Sequence, residues 1–206
     1  MHPNSLWPTV AVIGVALAWF MFAAGFVVSI RKSRAKVTKR DALSAYGLLI
    51  EFAAMCLVWG VRRPVGSTLF PAPATVQAII AFMALLLAGW SVALVSLAVR
   101  ALGKQLNVQA KIVEGHELVT HGPYAIVRHP IYSSLLTMLI ATGLAFSRWW
   151  MIVPALVLFV MGTSLRIRSE ERLLRGTFGG KFDDYARRVP ALLPRFWSCK
   201  AHKHHE

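Results

Sequence analysis

The chain has 206 residues, of which 56% are hydrophobic, and it carries a formal net charge of +14 at pH 7. An apolar share this high exceeds that of soluble globular proteins and predicts a membrane-embedded chain. Most basic residues lie beside apolar runs, where membrane topology and anionic headgroups account for them, so nucleic acid is not the expected partner. Cys56 and Cys199 lack metal-ligand spacing and are expected to be free thiols.

The apolar runs predict an all-α integral membrane fold of one domain with five transmembrane helices. About 20 apolar residues cross a hydrocarbon core of roughly 30 Å. The first run is long and is followed at once by six basic residues, which favours an uncleaved span over a signal peptide. Ser147 and Arg148 mark a very short break between the last two runs, which predicts a tight helical hairpin. The predicted spans are 9–30, 42–61, 75–99, 131–147 and 149–165.

The distribution of basic residues predicts the orientation of these spans. With the N-terminus outside and the C-terminus inside, the cytoplasmic segments 31–40, 100–130 and 166–206 hold 20 of the 23 Lys and Arg residues. The far-side segments hold the other three. This asymmetry follows the positive-inside rule. In a bacterial cell the membrane would be the inner one.

A polar stretch from 109 to 132 leads directly into the fourth span. Pro130 suits the first turn of a helix, where its missing N–H is no loss. Arg128 and His129 would then lie at the positive N-terminal end of that helix, which favours anionic ligands. Taken alone, a His at a helix entry is more often a hydrogen-bonded structural residue than a functional one, and Tyr132 is equally well explained as an interfacial aromatic.

A second polar segment follows the fifth span. Arg166 and Glu170 are four residues apart, which places them on one helix face. The hairpin would bring this segment next to Arg128 and His129 on the cytoplasmic face. A solvated charge cluster is the alternative interpretation. The candidate site therefore comprises 100–132 and 166–197.

Glu51 interrupts the second span near mid-depth. Facing lipid it would cost about 2.5–3.5 kcal/mol, so it is expected to face the helix bundle or water. A functional and a structural role remain equally open. His116, His121 and His129 follow no zinc pattern, so no metal site is expected.

Several motifs follow one another along the second half of the chain in a recognisable order. They are Gln109, His116-Glu-Leu-Val119, Gly122-x-Tyr124, Arg128-His-Pro-x-Tyr132, Arg166-x-x-x-Glu170-Glu171, Phe178-Gly179 and Tyr185. Their order and spacing resemble the isoprenylcysteine carboxyl methyltransferase family, a group of small membrane enzymes that includes phospholipid N-methyltransferases. The resemblance covers about 100–195. The Arg-His-Pro-x-Tyr motif alone is less specific, because NADPH-dependent membrane sterol reductases carry a similar one.

The resemblance implies a helix bundle that binds S-adenosylmethionine from the cytosolic side. Glu170 would hold the amino acid part of this cofactor, and Arg166 would face the methyl acceptor. The first two spans carry no recognisable family motif. The residues implied to line the cofactor pocket are Gln109, His116, Glu117, Leu118, Val119, Tyr124, His129, Pro130, Ile131 and Tyr132.

The chemistry of methyl transfer suits a carboxylate on a lipophilic acceptor, such as a prenylated cysteine. A carboxylate is already ionised at pH 7 and needs no general base, whereas an amine would need one. A phospholipid N-methyltransferase and a thiol methyltransferase remain alternatives within the family. Outside it, the alternatives are an NADPH-dependent membrane reductase and a non-enzymatic anchor or assembly protein whose basic loops bind anionic headgroups.

Overall fold

The computed structural model describes residues 6–32, 37–40, 43–103, 111–113 and 118–194. These residues form six α-helices, a short 3-10 turn and an antiparallel two-stranded ribbon. The predicted helical architecture is confirmed, and the ribbon is a small addition to it. The elements are α1 (Leu6–Lys32), β1 (Val37–Arg40), α2 (Leu43–Gly60), α3 (Ala74–Leu102), β2 (Lys111–Val113), the 3-10 turn (Gly122–Ala125), α4 (Pro130–Phe146), α5 (Trp149–Phe178) and α6 (Gly180–Arg188).

Four helices, α1, α2, α3 and α5, are long and apolar enough to cross a membrane. The shorter α4 is also apolar, and its 17 residues extend about 25 Å. Large hydrophobic side chains point away from the bundle, including Phe20 at 80% exposure, Phe52 at 66% and Trp90 at 61%. Water would penalise so much exposed apolar surface, whereas lipid tails accommodate it. The described chain therefore has the character of a multi-pass membrane protein.

Helix α4 lies at the centre of the bundle. Met138 belongs to the core that α4 forms with α1 and α3, whereas its neighbour Leu139 belongs to the core formed with α2 and α5. Buried polar contacts also join α4 to its neighbours. The indole Nε1 of Trp19 donates to Thr142 Oγ1 at 2.9 Å, and Ser91 Oγ donates to a carbonyl of α4 at 2.7 Å. These contacts fix α4 relative to α1 and α3 near both of its ends.

Two glycines allow α2 and α5 to approach closely. A Cβ atom at Gly162 would lie 2.7 Å from the Gly47 carbonyl oxygen and 2.9 Å from the backbone nitrogen of Glu51. Small residues at such a contact let helix backbones come together. As a result, the Glu51 side chain reaches α5. The buried face of α2 is formed by Ser44, Gly47, Glu51, Ala54 and Val58, at helical spacing.

The two ends of α4 are held differently. At its C-terminal end, the Arg63 guanidinium donates to the carbonyl oxygens of Leu144 and Ala145 at 2.5 and 2.9 Å. A cation at this position satisfies carbonyls that have no partner within the helix. At the opposite end, Pro130 occupies the first helical turn and is fully buried. Of the residues predicted to be functional, His129, Ile131 and Tyr132 lie with Pro130 at that N-terminal end.

Candidate active site

Tyr132 joins α4 to the two polar residues of α5 that were predicted for the site. Its hydroxyl donates to Glu170 Oε2 at 3.1 Å, and the guanidinium carbon of Arg166 lies 4.7 Å from its ring centroid. A guanidinium over an aromatic face is attracted by the ring quadrupole. Tyr132 is only 6% exposed. Arg166 and Glu170 thus reach the same side chain, as expected from their spacing of four residues.

His129 precedes α4 and lies between two carboxylates. Its Nδ1 is 3.5 Å from Glu170 Oε2, and its Nε2 is 3.2 Å from Glu171 Oε1. Burial by itself lowers the pKa of His129, but hydrogen bonds and the negative charges of Glu170 and Glu171 outweigh it and raise the pKa above its ordinary value. The imidazolium form, which donates from both ring nitrogens, fits this arrangement. The ring also stacks on Tyr132.

Arg128 connects the site to α6 and the segment after it. Its Nε donates to Glu171 Oε1 at 2.9 Å, and its Nη1 donates to the carbonyl oxygens of Ala186 and Val189. Arg128 Nη2 also lies 2.8 Å from Glu171 Oε1, so Nε, Nη1 and Nη2 of the guanidinium all have partners within the described structure. The backbone N–H groups of Arg128 and His129 likewise donate to carbonyls of residues 190 and 191. Arg128 supports the site by fixing α6 beneath it.

Arg166 forms a buried ion pair with Glu51. Arg166 Nη1 lies 2.5 Å from Glu51 Oε2, and Thr163 Oγ1 donates to the other carboxylate oxygen at 2.7 Å. Both charged residues are at most 5% exposed. The prediction that Glu51 faces the bundle is confirmed. Burying two charges is expensive, and here their mutual attraction and the Thr163 hydroxyl offset that cost.

The remaining predicted residues occupy several positions. Tyr124 is buried near Glu170, and burial followed by the charge of Glu170 raises the pKa of its hydroxyl. Leu118 and Val119 are half-buried in the segment before the 3-10 turn. Ile131 packs against the core of α1, α3 and α4. The other predicted pocket residues, Gln109, His116 and Glu117, lie outside the described residues.

The chemistry available to this network is that of positioning and charge matching. The Glu170 side chain is 38% exposed, whereas His129 beside it is 4% exposed. A partly open carboxylate with buried, hydrogen-bonded neighbours is suited to bind a cationic group such as an ammonium. Within the described part of the chain, no group of three His, Cys, Asp or Glu side chains could hold a metal ion.

Two participants had no partner assigned from the sequence. Glu171 stood in a family motif without a role of its own, and in the structure it binds both Arg128 and His129. Glu51 was recognised as unusual, but its partner Arg166 was not. An acid within one predicted span and a base directly after the end of another were the available signal for that pair.

Comparisons with known proteins give one family and relatives with two kinds of name. Residues 75–176, about half of the chain, match the model of the isoprenylcysteine carboxyl methyltransferase (ICMT) family. The "Nickel-cobalt-cadmium resistance protein NccN" of Alcaligenes xylosoxydans xylosoxydans is 39% identical over 79 residues, which are 38% of this chain and 37% of that protein. A "Probable protein-S-isoprenylcysteine O-methyltransferase" of Oryza sativa subsp. indica is 29% identical over 119 residues, 51% of this chain and 62% of the relative.

A further relative, "Protein-S-isoprenylcysteine O-methyltransferase B" of Arabidopsis thaliana, is 36% identical over 81 residues, 39% of this chain and 41% of the relative. The chain thus spans between 37% and 62% of the length of these three relatives. The family match includes α3, α4 and most of α5 with Arg166, Glu170 and Glu171. Helices α1 and α2, and Glu51 with them, lie outside it.

Proposed function

Because the chain belongs to the isoprenylcysteine carboxyl methyltransferase family, we propose that it transfers a methyl group from S-adenosylmethionine to a lipid-like acceptor. The proposed reaction is carboxyl O-methylation of an isoprenylcysteine-type substrate. The observation that carries the proposal is the junction at Tyr132, where the motif that starts α4 meets Arg166 and Glu170 of α5. The names of the rice and Arabidopsis relatives support this reaction type.

The proposed topology has five spans, with the N-terminus outside, the C-terminus inside and the site at the cytoplasmic face. The placement of 20 of 23 basic residues in the segments assigned to the cytoplasm supports this orientation. Helix α4, with 17 residues, is at the short end of spanning lengths. Anionic headgroups would bind the basic segments, and in a bacterium the membrane would be the inner one.

The cofactor would be held by the network around Glu170. S-adenosylmethionine supplies a methyl group on a positively charged sulfur. The accessible carboxylate of Glu170 would bind the ammonium of its amino acid part, oriented by His129 and Tyr132. The family resemblance adds Tyr124 and the other predicted pocket residues as its lining.

Arg166 would bind the acceptor. A guanidinium matches a carboxylate in a bidentate manner, and an ionised acceptor oxygen needs no general base. The residues then have two tasks, to hold the acceptor oxygen in line with the methyl carbon and to exclude water. Orientation of this kind can supply about 7–11 kcal/mol of the barrier. A lipophilic acceptor would enter from the membrane between helices.

The similarity to a metal-resistance protein does not change this proposal. That relative is named for nickel, cobalt and cadmium resistance. Among the described residues, the family motifs at the start of α4 and on α5 meet at Tyr132, and these contacts support methyl transfer best.

The test is transfer of a radiolabelled methyl group by the detergent-purified chain to a prenylated thioether carboxylic acid. We expect Arg166→Ala to lose about a hundredfold in rate while it keeps its affinity for S-adenosylhomocysteine, whereas Glu170→Gln should lose that affinity. Arg175→Ala is the matched control, because Arg175 lies on the same helix in an exposed ion pair with Asp183. Equal loss of cofactor affinity in Arg166→Ala and Glu170→Gln would contradict these separate roles.

A further inference from the structure

Glu51 brings a buried negative charge to the proposed acceptor site from outside the family match. It lies on α2, and the matched segment begins at residue 75. Its carboxylate is held by Arg166 and by Thr163, at 2.5 and 2.7 Å. Gly47 and Gly162 make this reach possible, because side chains there would separate α2 from α5. The contact between Glu51 and Arg166 therefore depends on the close packing of α2 against α5.

The Arg166 guanidinium is held on two sides. Glu51 accepts a hydrogen bond from Nη1, and the Tyr132 ring covers one face of the guanidinium. Each contact limits the rotamers of a long side chain that is otherwise costly to order. Since Tyr132 also binds Glu170, the orientation of Arg166 is fixed relative to the proposed cofactor site.

The ion pair also sets the charge that an acceptor meets. Arg166 alone would present a full positive charge in a buried site, whereas the Arg166–Glu51 pair has no net charge. Among the described residues, Glu170 is a further charged group close to Arg166, and it is also negative. An anionic acceptor is therefore attracted less strongly than Arg166 alone would attract it.

We propose that Glu51 is a positioning residue of the acceptor site, which fixes the Arg166 guanidinium against Tyr132 and limits how tightly an anionic acceptor binds. This inference rests on the proposed function. It assigns a role in the reaction to α2, outside the family match. It also explains how a lipophilic carboxylate could be held long enough to react without being bound too tightly for turnover.

The test compares Glu51→Gln with the wild-type chain in detergent. Glutamine keeps the shape and an oxygen for Thr163 but removes the charge. We expect the Kd of a prenylated thioether carboxylic acid to fall about tenfold, from the loss of one unit charge close to the guanidinium. The Kd of its uncharged methyl ester and that of S-adenosylhomocysteine should stay within about twofold. Because Arg166 is less well oriented, kcat should fall about tenfold.

The matched control is Ser91→Ala, which removes a different buried hydrogen bond between helices, from Ser91 to a carbonyl of α4. It should lower thermal stability and leave the acceptor Kd and kcat at their wild-type values. A tighter carboxylate Kd together with a lower kcat in Glu51→Gln supports the proposal. Unchanged constants, or an equal change in carboxylate and ester affinity, would overturn it.

A second measurement does not depend on the variant folding. In an experimental structure of the wild-type chain with the prenylated thioether carboxylic acid, the acceptor carboxylate should contact Arg166 while Arg166 still contacts Glu51. An acceptor bound away from Arg166, or an Arg166 that has left Glu51, would overturn the inference. If the wild-type chain binds S-adenosylhomocysteine and transfers methyl groups, such a result leaves the proposed function intact. If it does neither, both proposals fail.

Discussion

The close contact between α2 and α5 at Gly162 predicts that Gly162→Ala destabilises the protein. The new Cβ atom would lie 2.7 Å from the Gly47 carbonyl oxygen, 2.9 Å from the Glu51 backbone nitrogen and 3.1 Å from Glu51 Cγ. The first two neighbours are backbone atoms that cannot rotate away. Helices α2 and α5 must therefore separate by roughly half an ångström, and Glu51 must shift relative to Arg166.

The magnitude follows from two opposing effects. Overpacking a tight contact costs about 1–3 kcal/mol. Replacing glycine by alanine within a helix stabilises the folded state by about 0.5–1 kcal/mol, because alanine loses less backbone entropy. Gly89→Ala is the matched control, because Gly89 lies within α3 and a Cβ atom there meets nothing within 4 Å. Gly89→Ala should therefore be stabilised by the helix propensity of alanine without any overpacking. The free energies of unfolding of the two variants should differ by about 1–3 kcal/mol.

Thermal unfolding in detergent measures that difference. For a chain of this size it corresponds to a gap of about 2–12 °C in Tm, with Gly162→Ala the less stable variant. Methyl transfer measured on the same samples should fall in Gly162→Ala and not in Gly89→Ala, because only the first displaces Glu51. If both variants unfold at the same temperature and have equal activity, the argument that this contact positions Glu51 is refuted.

Two further predictions concern His129 and Tyr185. The pKa of His129 is raised above its unfolded value, so its contribution to stability should be complete below about pH 6.5 and lost as the pH rises through the folded-state pKa. Tm of the wild-type chain measured against pH should show this loss, and the dependence of Tm on pH should be weaker in His129→Gln. An equal dependence of Tm on pH in the two proteins would contradict the ion pairs with Glu170 and Glu171. Tyr185→Phe removes the 2.7 Å hydrogen bond from Tyr185 to the Tyr124 carbonyl and should cost about 1 kcal/mol in urea unfolding, whereas an unchanged midpoint would show that the bond contributes nothing.

Hydropathy predicted where the helices lie better than where they end. The predicted fifth span stops at 165, where the apolar residues end, but α5 continues to Phe178. Its polar last turns remain helical, and Gly179 ends the helix with a φ of 54°, a conformation that glycine adopts without strain. Periodicity within the polar segment correctly placed Arg166 and Glu170 on one face. A hydropathy scale identifies the part of a helix that lies in the hydrocarbon core, and it does not detect the polar turns that continue the helix outside the membrane.

The partners within the site were less predictable. The Glu51–Arg166 pair joins residues 115 positions apart and depends on the contact of two glycines in different helices. No local pattern encodes such a pairing. The hydrogen bonds that Arg128 makes with the segment after α6 were not predicted for a related reason. They form because the chain after α6 returns to the start of α4. Spacing along one helix predicts neighbours on that helix, whereas these contacts depend on how separate segments pack.

The most direct test of the central claim is calorimetric binding of S-adenosylhomocysteine to the purified chain, with NADPH as the parallel ligand. The family match and the accessible carboxylate of Glu170 predict micromolar binding of S-adenosylhomocysteine, lost in Glu170→Gln, and no binding of NADPH. Binding of NADPH alone would favour a membrane reductase. A folded sample that binds neither ligand would contradict the methyltransferase account.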